Sequence, residues 1–222
     1  MSEISANIIA LKQSLPPSVS LVAVSKTKPV EDILELYNLG HRDFAENYVQ
    51  ELTEKAAMLP KDIRWHFIGH LQSNKVKYIA PFVHMIHGVD SLKLLREINK
   101  QAAGCNRTIN CLLQVHIAQE ETKFGMNESE IKESLSVSTE LTNLRICGLM
   151  GMASFSNDLD LVRTEFRLLK TLYDRYRIWA ANHAPWTVLS MGMSGDYTIA
   201  IEEGSTLVRI GSLFFGEREY KK

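Results

Sequence analysis

Lys26 stands directly behind an apolar run, Leu21-Val22-Ala23-Val24, with only Ser25 between and Lys28 two places on. A lysine in that position is partly desolvated. Desolvation lowers an ammonium's pKa, and so does a like charge nearby. An amine made available in this way can attack an aldehyde. The same placing also suits a lysine that only marks the exit of a strand into solvent. A second pattern lies near the C-terminus, where Gly192-Met193-Ser194-Gly195 precedes a helical stretch at 197–203 and Gly211-Ser212 follows a short apolar run. Glycine lets backbone N–H groups approach an oxyanion, and a helix start favours negative charge. Singly these are ordinary glycine turns; together they describe a phosphate cradle.

Other chemistries find less support. His66 and His70 have the i, i+4 spacing of a helical zinc pair, but Trp65-His66-Phe67-Ile68 reads as a strand and Gly69 breaks it. A shared metal is therefore not expected. No Walker lysine motif, no G-x-G-x-x-G and no G-x-S-x-G elbow occurs. Met150, Met152, Met191 and Met193 could line a flat apolar ligand, although methionines commonly fill core gaps.

The chain that must position these residues has 222 of them, with 45% hydrophobic and 23% charged content. That length can bury a core without staples. A net charge of −1 with dispersed basic residues argues against a nucleic-acid or anionic-membrane partner. The three cysteines, Cys105, Cys111 and Cys147, fit no zinc ribbon and read as reduced thiols of a cytoplasmic protein. The N-terminus lacks the basic region of a signal peptide, and no run is long and apolar enough to span a bilayer.

Ile4, Ile8, Leu11 and Leu15 fall on one helical face, which Pro16 and Pro17 end. Short β-rich runs follow at 19–24, 42–45, 63–68, 85–89, 108–117, 144–150, 187–190 and 207–210. Helical stretches separate them, the longest at 161–181 with Phe166, Leu169, Tyr173, Tyr176 and Ala180 in a stripe. Alternation of this kind means parallel strands with right-handed crossovers. Eight units can close into a (β/α)8 barrel, with a doubly wound open sheet as the rival. No linker or composition break divides residues 1–222, so one domain with an extra N-terminal helix is expected. In a barrel, Lys26 and both glycine loops fall at the C-terminal ends of strands, where sites form.

Several stretches together resemble a known family. They are L-V-A-V-S-K-T at 21–27, F-A-E-N-Y-V-Q-E at 44–51, W-H-F-I-G-H-L-Q-S-N-K at 65–75, K-F-G at 123–125, G-L-M at 148–150, L-S-M-G-M-S-G-D at 189–196, V-R-I-G-S at 208–212 and F-G-E-R at 215–218. In this order they resemble the pyridoxal phosphate homeostasis proteins, and the likeness covers nearly the whole chain. The one departure is Ser212, where the family more often has threonine; either hydroxyl can bind phosphate. The resemblance implies a barrel like the N-terminal domain of alanine racemase. It implies pyridoxal 5′-phosphate (PLP) held as a Schiff base on Lys26, and phosphate contacts from Ser194, Gly211 and Ser212. It further implies that Arg209 faces the pyridine nitrogen and that Asn47 and Met150 line the ring.

Two kinds of protein could use such a site. A racemase needs acid and base groups on both faces of its substrate. In alanine racemase the second comes from an additional C-terminal domain, and here only Glu217 to Lys222 follow Gly216. Tyr48, His116 or Lys123 would have to act instead. A carrier needs only reversible imine formation and a reachable cofactor. The expectation is a monomeric carrier that buffers PLP and passes it to apo-enzymes, without catalysis of its own. A PLP-dependent racemase is the alternative, and a cofactor-free enzyme acting on a sugar phosphate is the third reading. Lys28, Lys75 and Lys123 could offer secondary aldehyde sites.

Overall fold

The computed structural model describes residues 2–119, 124–180 and 185–216. Helix α1 (Glu3–Ser14) starts at Ser2, whose hydroxyl accepts from the Ser5 N–H at 3.1 Å. Its buried Ile8 and Leu11 pack the helix on α2 (Val30–Asn38) and α9 (Ser212–Phe215). After Pro16 and Pro17 the chain enters β1 (Ser20–Val24). Then come β2 (Asp43–Glu46), α3 (Val49–Met58), β3 (Arg64–Phe67), α4 (Val76–Ile79) and β4 (Met85–Val89). The second half holds α5 (Leu92–Gly104), β5 (Ile109–Gln114), α6 (Glu128–Ser138), β6 (Leu144–Met150) and α7 (Leu159–Ala180). It closes with β7 (Val188–Ser190), α8 (Tyr197–Glu202) and β8 (Leu207–Ile210) before α9.

The strands form a closed parallel barrel in sequence order, so the open sheet is excluded. Closure comes from β1 against β8, with Val22 opposite Arg209 and Ala23 opposite Ile210. Successive strand side chains point to opposite faces. One set meets the helices in a large apolar core that includes Ile33, Leu36, Phe44, Phe67, Ile86, Phe166 and Phe214. The other set fills the barrel interior with two small clusters. Met85, Leu112, Cys147 and Met150 form one, and Val22, Ala45 and Leu207 the other. Each fully buried large side chain is worth about 1.5–3 kcal/mol relative to exposure, which is why the strand pattern is so apolar.

The strand expected over 108–117 stops at Gln114. Past that point the ladder is diverted: Met126 N–H donates to the Gln114 carbonyl at 2.7 Å and His116 N–H to the Met126 carbonyl at 3.2 Å. Val115 N–H still donates to the Met150 carbonyl of β6 at 2.8 Å, and beyond that it keeps an isolated bridge to Met126. The strand expected over 63–68 spans Arg64–Phe67, because Ile63 is tied into a turn by its N–H to the Pro60 carbonyl. Among the described residues no helix is long and apolar enough to cross a membrane, and no cluster of three or more potential metal ligands occurs.

Candidate functional site

One cleft at the C-terminal ends of the strands collects most of the residues that the resemblance assigns to the cofactor. Lys26, Asn47, Ser194, Arg209, Gly211 and Ser212 all line it, with Lys28, Ile68, Met152 and Met193 beside them. Lys26 is half-buried, in the turn leaving β1. Asn47 follows β2 directly, and Arg209 lies within β8. Met150 does not line the cleft: it is fully buried in the barrel interior against Met85, Leu112 and Cys147. Met152, two residues beyond the strand, takes the place expected of it. Met191 is likewise buried, whereas Met193 reaches the cleft.

The two glycine loops meet at this cleft. Gly211 N–H donates to Ser194 Oγ at 3.4 Å, which ties the loop after β7 to the one after β8. A Cβ on residue 211 would stand 2.7 Å from the Val24 carbonyl oxygen, so only glycine fits between β8 and the end of β1. Asn47 Oδ1 is buried and has no hydrogen-bond partner among the described residues. A buried acceptor left alone costs free energy unless a ligand or water supplies a donor. An amine, a small-residue cradle, an orphaned acceptor and a buried cation in one cleft fit a flat phosphorylated aldehyde.

Arg209 is 3% exposed. Its Nη1 donates to the Ser190 carbonyl at 3.0 Å and to Ser190 Oγ at 2.6 Å, and its Nη2 to the Gly151 carbonyl at 3.2 Å. Burial pulls its pKa down to about 10, opposed by the Asp196 carboxylate, so it remains a cation at neutral pH. From Ser190 a chain of bonds runs through the barrel interior. Ser190 Oγ is 3.2 Å from His87 Nδ1, His87 Nε2 is 2.9 Å from His66 Nδ1, and His66 Nε2 is 3.1 Å from Asp43 Oδ1. Guanidinium only donates and carboxylate only accepts. Ser190 Oγ therefore accepts from Arg209 and donates to His87 Nδ1. His87 donates from Nε2 to His66, and His66 donates from Nε2 to Asp43. Burial, with His66 and Arg209 adding to it, pushes His87 well below the ordinary histidine range, in keeping with a neutral ring. Burial alone would raise Asp43, but hydrogen bonds from Arg64 and His66 hold it below the usual carboxylate range.

The remaining lysines and acid–base candidates lie apart or are engaged. Lys28 Nζ donates to the Phe215 carbonyl at 2.5 Å. Tyr48 and Lys75 line a neighbouring groove with His70 and Tyr78. His116 is half-buried just beyond β5, and Lys123 lies outside the described residues. The sequence reading missed two groups. One is the His66–His87–Ser190 chain. The other is a cluster of the buried Glu46 and Lys55 with the half-buried Glu51 beside the Lys26 turn. For the latter a signal existed: a glutamate closing an apolar strand, and a Glu–Lys pair at i, i+4 on the next helix.

Comparison with known proteins places this geometry. The family model described as alanine racemase, N-terminal domain, matches residues 1–219. A pyridoxal phosphate homeostasis protein of Aquifex aeolicus (strain VF5) is 43% identical over 201 residues, covering 90% of this chain and 87% of the relative. The Homo sapiens protein of the same name is 42% identical over 213 residues, covering 91% and 78%. The PLP-bound structure of PipY from Synechococcus elongatus PCC7942 superposes with a TM-score of 0.88 at 35% identity, covering 96% of this chain and 100% of that one. Alanine racemase from Clostridium difficile 630, at 13% identity and a TM-score of 0.77, shares the fold. With the alanine racemase N-terminal model spanning nearly every residue and relatives of this likeness, the chain belongs to the pyridoxal phosphate homeostasis protein family.

Proposed function

We propose that this chain holds PLP as a Schiff base on Lys26 and acts in PLP homeostasis as a carrier, buffering the cofactor and passing it to apo-enzymes. The observation that carries the reading is the single cleft joining Lys26, the buried Arg209 and the Ser194–Gly211 cradle. PLP, when bound, supplies a reactive aldehyde and an electron-withdrawing ring. The Lys26 amine is the covalent anchor. Ser194, Gly211 and Ser212 offer hydroxyl and backbone donors to the phosphate. Asn47 Oδ1 accepts from a donor on the ligand, and Met152 gives an apolar wall.

Arg209 faces the pyridine nitrogen and, as a donor only, keeps that nitrogen an acceptor. A ring held unprotonated is a weak sink for carbanion charge, so the site favours retention over reaction. Ser190, itself bonded to His87, and the Gly151 carbonyl hold the guanidinium in one orientation. We further propose that the protein works in the cytosol as a monomer, as one barrel domain over residues 1–222.

The test is the visible absorption spectrum of purified protein with added PLP, before and after borohydride, beside Lys26→Ala. The expected result is a band that reduction fixes to the Lys26 peptide and that the variant lacks. A colourless wild type would reject the Schiff base and favour a barrel enzyme acting on a sugar phosphate. Racemisation of amino acids at enzymatic rates, lost in Lys26→Ala, would reject the carrier reading.

A further inference from the structure

A charged cluster lies beside the Lys26 turn and outside the cleft. Lys55, on α3, is 5% exposed. Its Nζ donates to the Ser25 carbonyl at 2.7 Å, to Glu46 Oε1 at 2.8 Å and to Glu51 Oε1 at 2.7 Å. An ammonium has three protons, and these acceptors use them all. Ser25, itself fully buried, donates from Oγ to the same Glu46 Oε1 at 2.7 Å. On the other side of Lys26, Thr27 N–H donates to Glu51 Oε1 at 2.6 Å. Thr27 has φ +65, a left-handed conformation that a β-branched residue adopts only when its surroundings impose it.

Both neighbours of Lys26 are thus tied to two carboxylates that share one buried ammonium. Burying an ion pair is a poor route to stability, because desolvating the charges offsets their attraction. The bonds fall on the one turn that must present an amine. Both bonds to Glu46 fall on Oε1, while Oε2 is buried and unpartnered among the described residues. Burial pushes Glu46 up to about 7 against the Lys55 charge, and a proton taken up on Oε2 leaves both Oε1 bonds in place.

We propose that Lys55, Glu46 and Glu51 form a positioning clamp that fixes the Ser25–Thr27 backbone and so presents the Lys26 amine to the cofactor's carbonyl carbon. This rests on the reading of Lys26 as the PLP lysine. In the step served, the Lys26 nitrogen lone pair forms a bond to the aldehyde carbon. The C=N bond replaces C=O, and the oxygen leaves as water with the two amine protons. Nothing is oxidised or reduced. The clamp acts through the backbone on either side of Lys26, at the Ser25 carbonyl and the Thr27 N–H.

The experiment separates presentation of the amine from shape of the cleft. Stopped-flow absorbance after adding PLP reads imine formation in the full chain. Competition by pyridoxine 5′-phosphate, which has an alcohol in place of the aldehyde, reads affinity for the rest of the site. Glu51→Ala is expected to slow imine formation about tenfold or more while the pyridoxine 5′-phosphate Kd stays within about twofold. Glu51→Gln, which keeps the acceptor for Thr27 and Lys55, is expected to stay within about threefold of wild-type rate. Lys55→Met, which strands the buried Glu46 carboxylate, is the harsher variant; Glu51→Ala decides if it fails to fold. A wild-type rate in Glu51→Ala, or equal loss of rate and analogue affinity, overturns the clamp. A wild-type protein that forms no imine band removes the PLP reading and the clamp with it.

Discussion

The Arg209 guanidinium sits where two kinds of order meet. It lines the cleft beside Lys26, and it heads the chain of bonds through Ser190, His87 and His66 to Asp43. Ser190→Ala removes one acceptor from Arg209 and the donor to His87 Nδ1 together. Hydrogen bonds to charged groups are worth about 1.5–3 kcal/mol, so urea denaturation is expected to show a loss of that order. An unchanged midpoint would mean that the chain carries no stability. Lys26 was legible in the sequence because its surroundings, an apolar run and a neighbouring lysine, are its sequence neighbours. Lys55 was not, because two of its three partners, Ser25 and Glu46, come from other strand ends. Met150 and Met152 have the same type and neighbours in sequence; only the end of β6 at Met150 separates core from cleft.

At the scale of elements, alternation and turn residues placed all eight strands, with ends displaced by a few residues. The displaced ends lie where the backbone meets a partner far along the chain, as at Gln114 and Met126. Glycines show the same division. Gly148, within β6, has φ +152, and a Cβ there would stand 1.8 Å from the Val188 carbonyl oxygen of β7. The register between β5 and β6 also shifts nearby, between Cys111 and Leu112. Gly148→Ala must therefore push two paired strands apart, and a loss of more than about 3 kcal/mol in thermal unfolding is expected. Gly211→Ala meets the Val24 carbonyl oxygen at 2.7 Å, at the cradle rather than in the core. A titration of PLP into that variant is expected to show affinity about tenfold weaker, with an unchanged far-ultraviolet circular dichroism spectrum. Wild-type affinity would place the phosphate elsewhere.

For the molecule as a whole, buried titrating groups set how stability depends on pH. Burial lowers His41 and His84 to about 4 each, with Lys12 and His66 respectively adding to it, and lowers His87 well below the ordinary histidine value. An unfolded chain takes protons on these rings below an ordinary value of about 6.5, and the native state does not. Glu46 acts in the opposite sense: burial raises it to about 7, so the native state holds a proton that the unfolded chain releases above its ordinary value. Burial raises Asp32 as well, but the three histidines outnumber these two carboxyls, so stability is expected to rise with pH between about 4 and 6.5. Urea midpoints taken across that window check the sign; a midpoint that falls with rising pH would mean that the carboxyls dominate. Composition and period were enough, from the sequence alone, to establish a β/α alternation of eight units and to bring forward Lys26 and the two glycine loops. These depend on near neighbours and on the order of elements along the chain. Closure of β1 on β8, the meeting of Lys26 with Arg209, the fate of each methionine and the Lys55 cluster were decided only in three dimensions. Each needs groups far apart in the chain to share a low-dielectric space, where a polar atom must find its partner or go without.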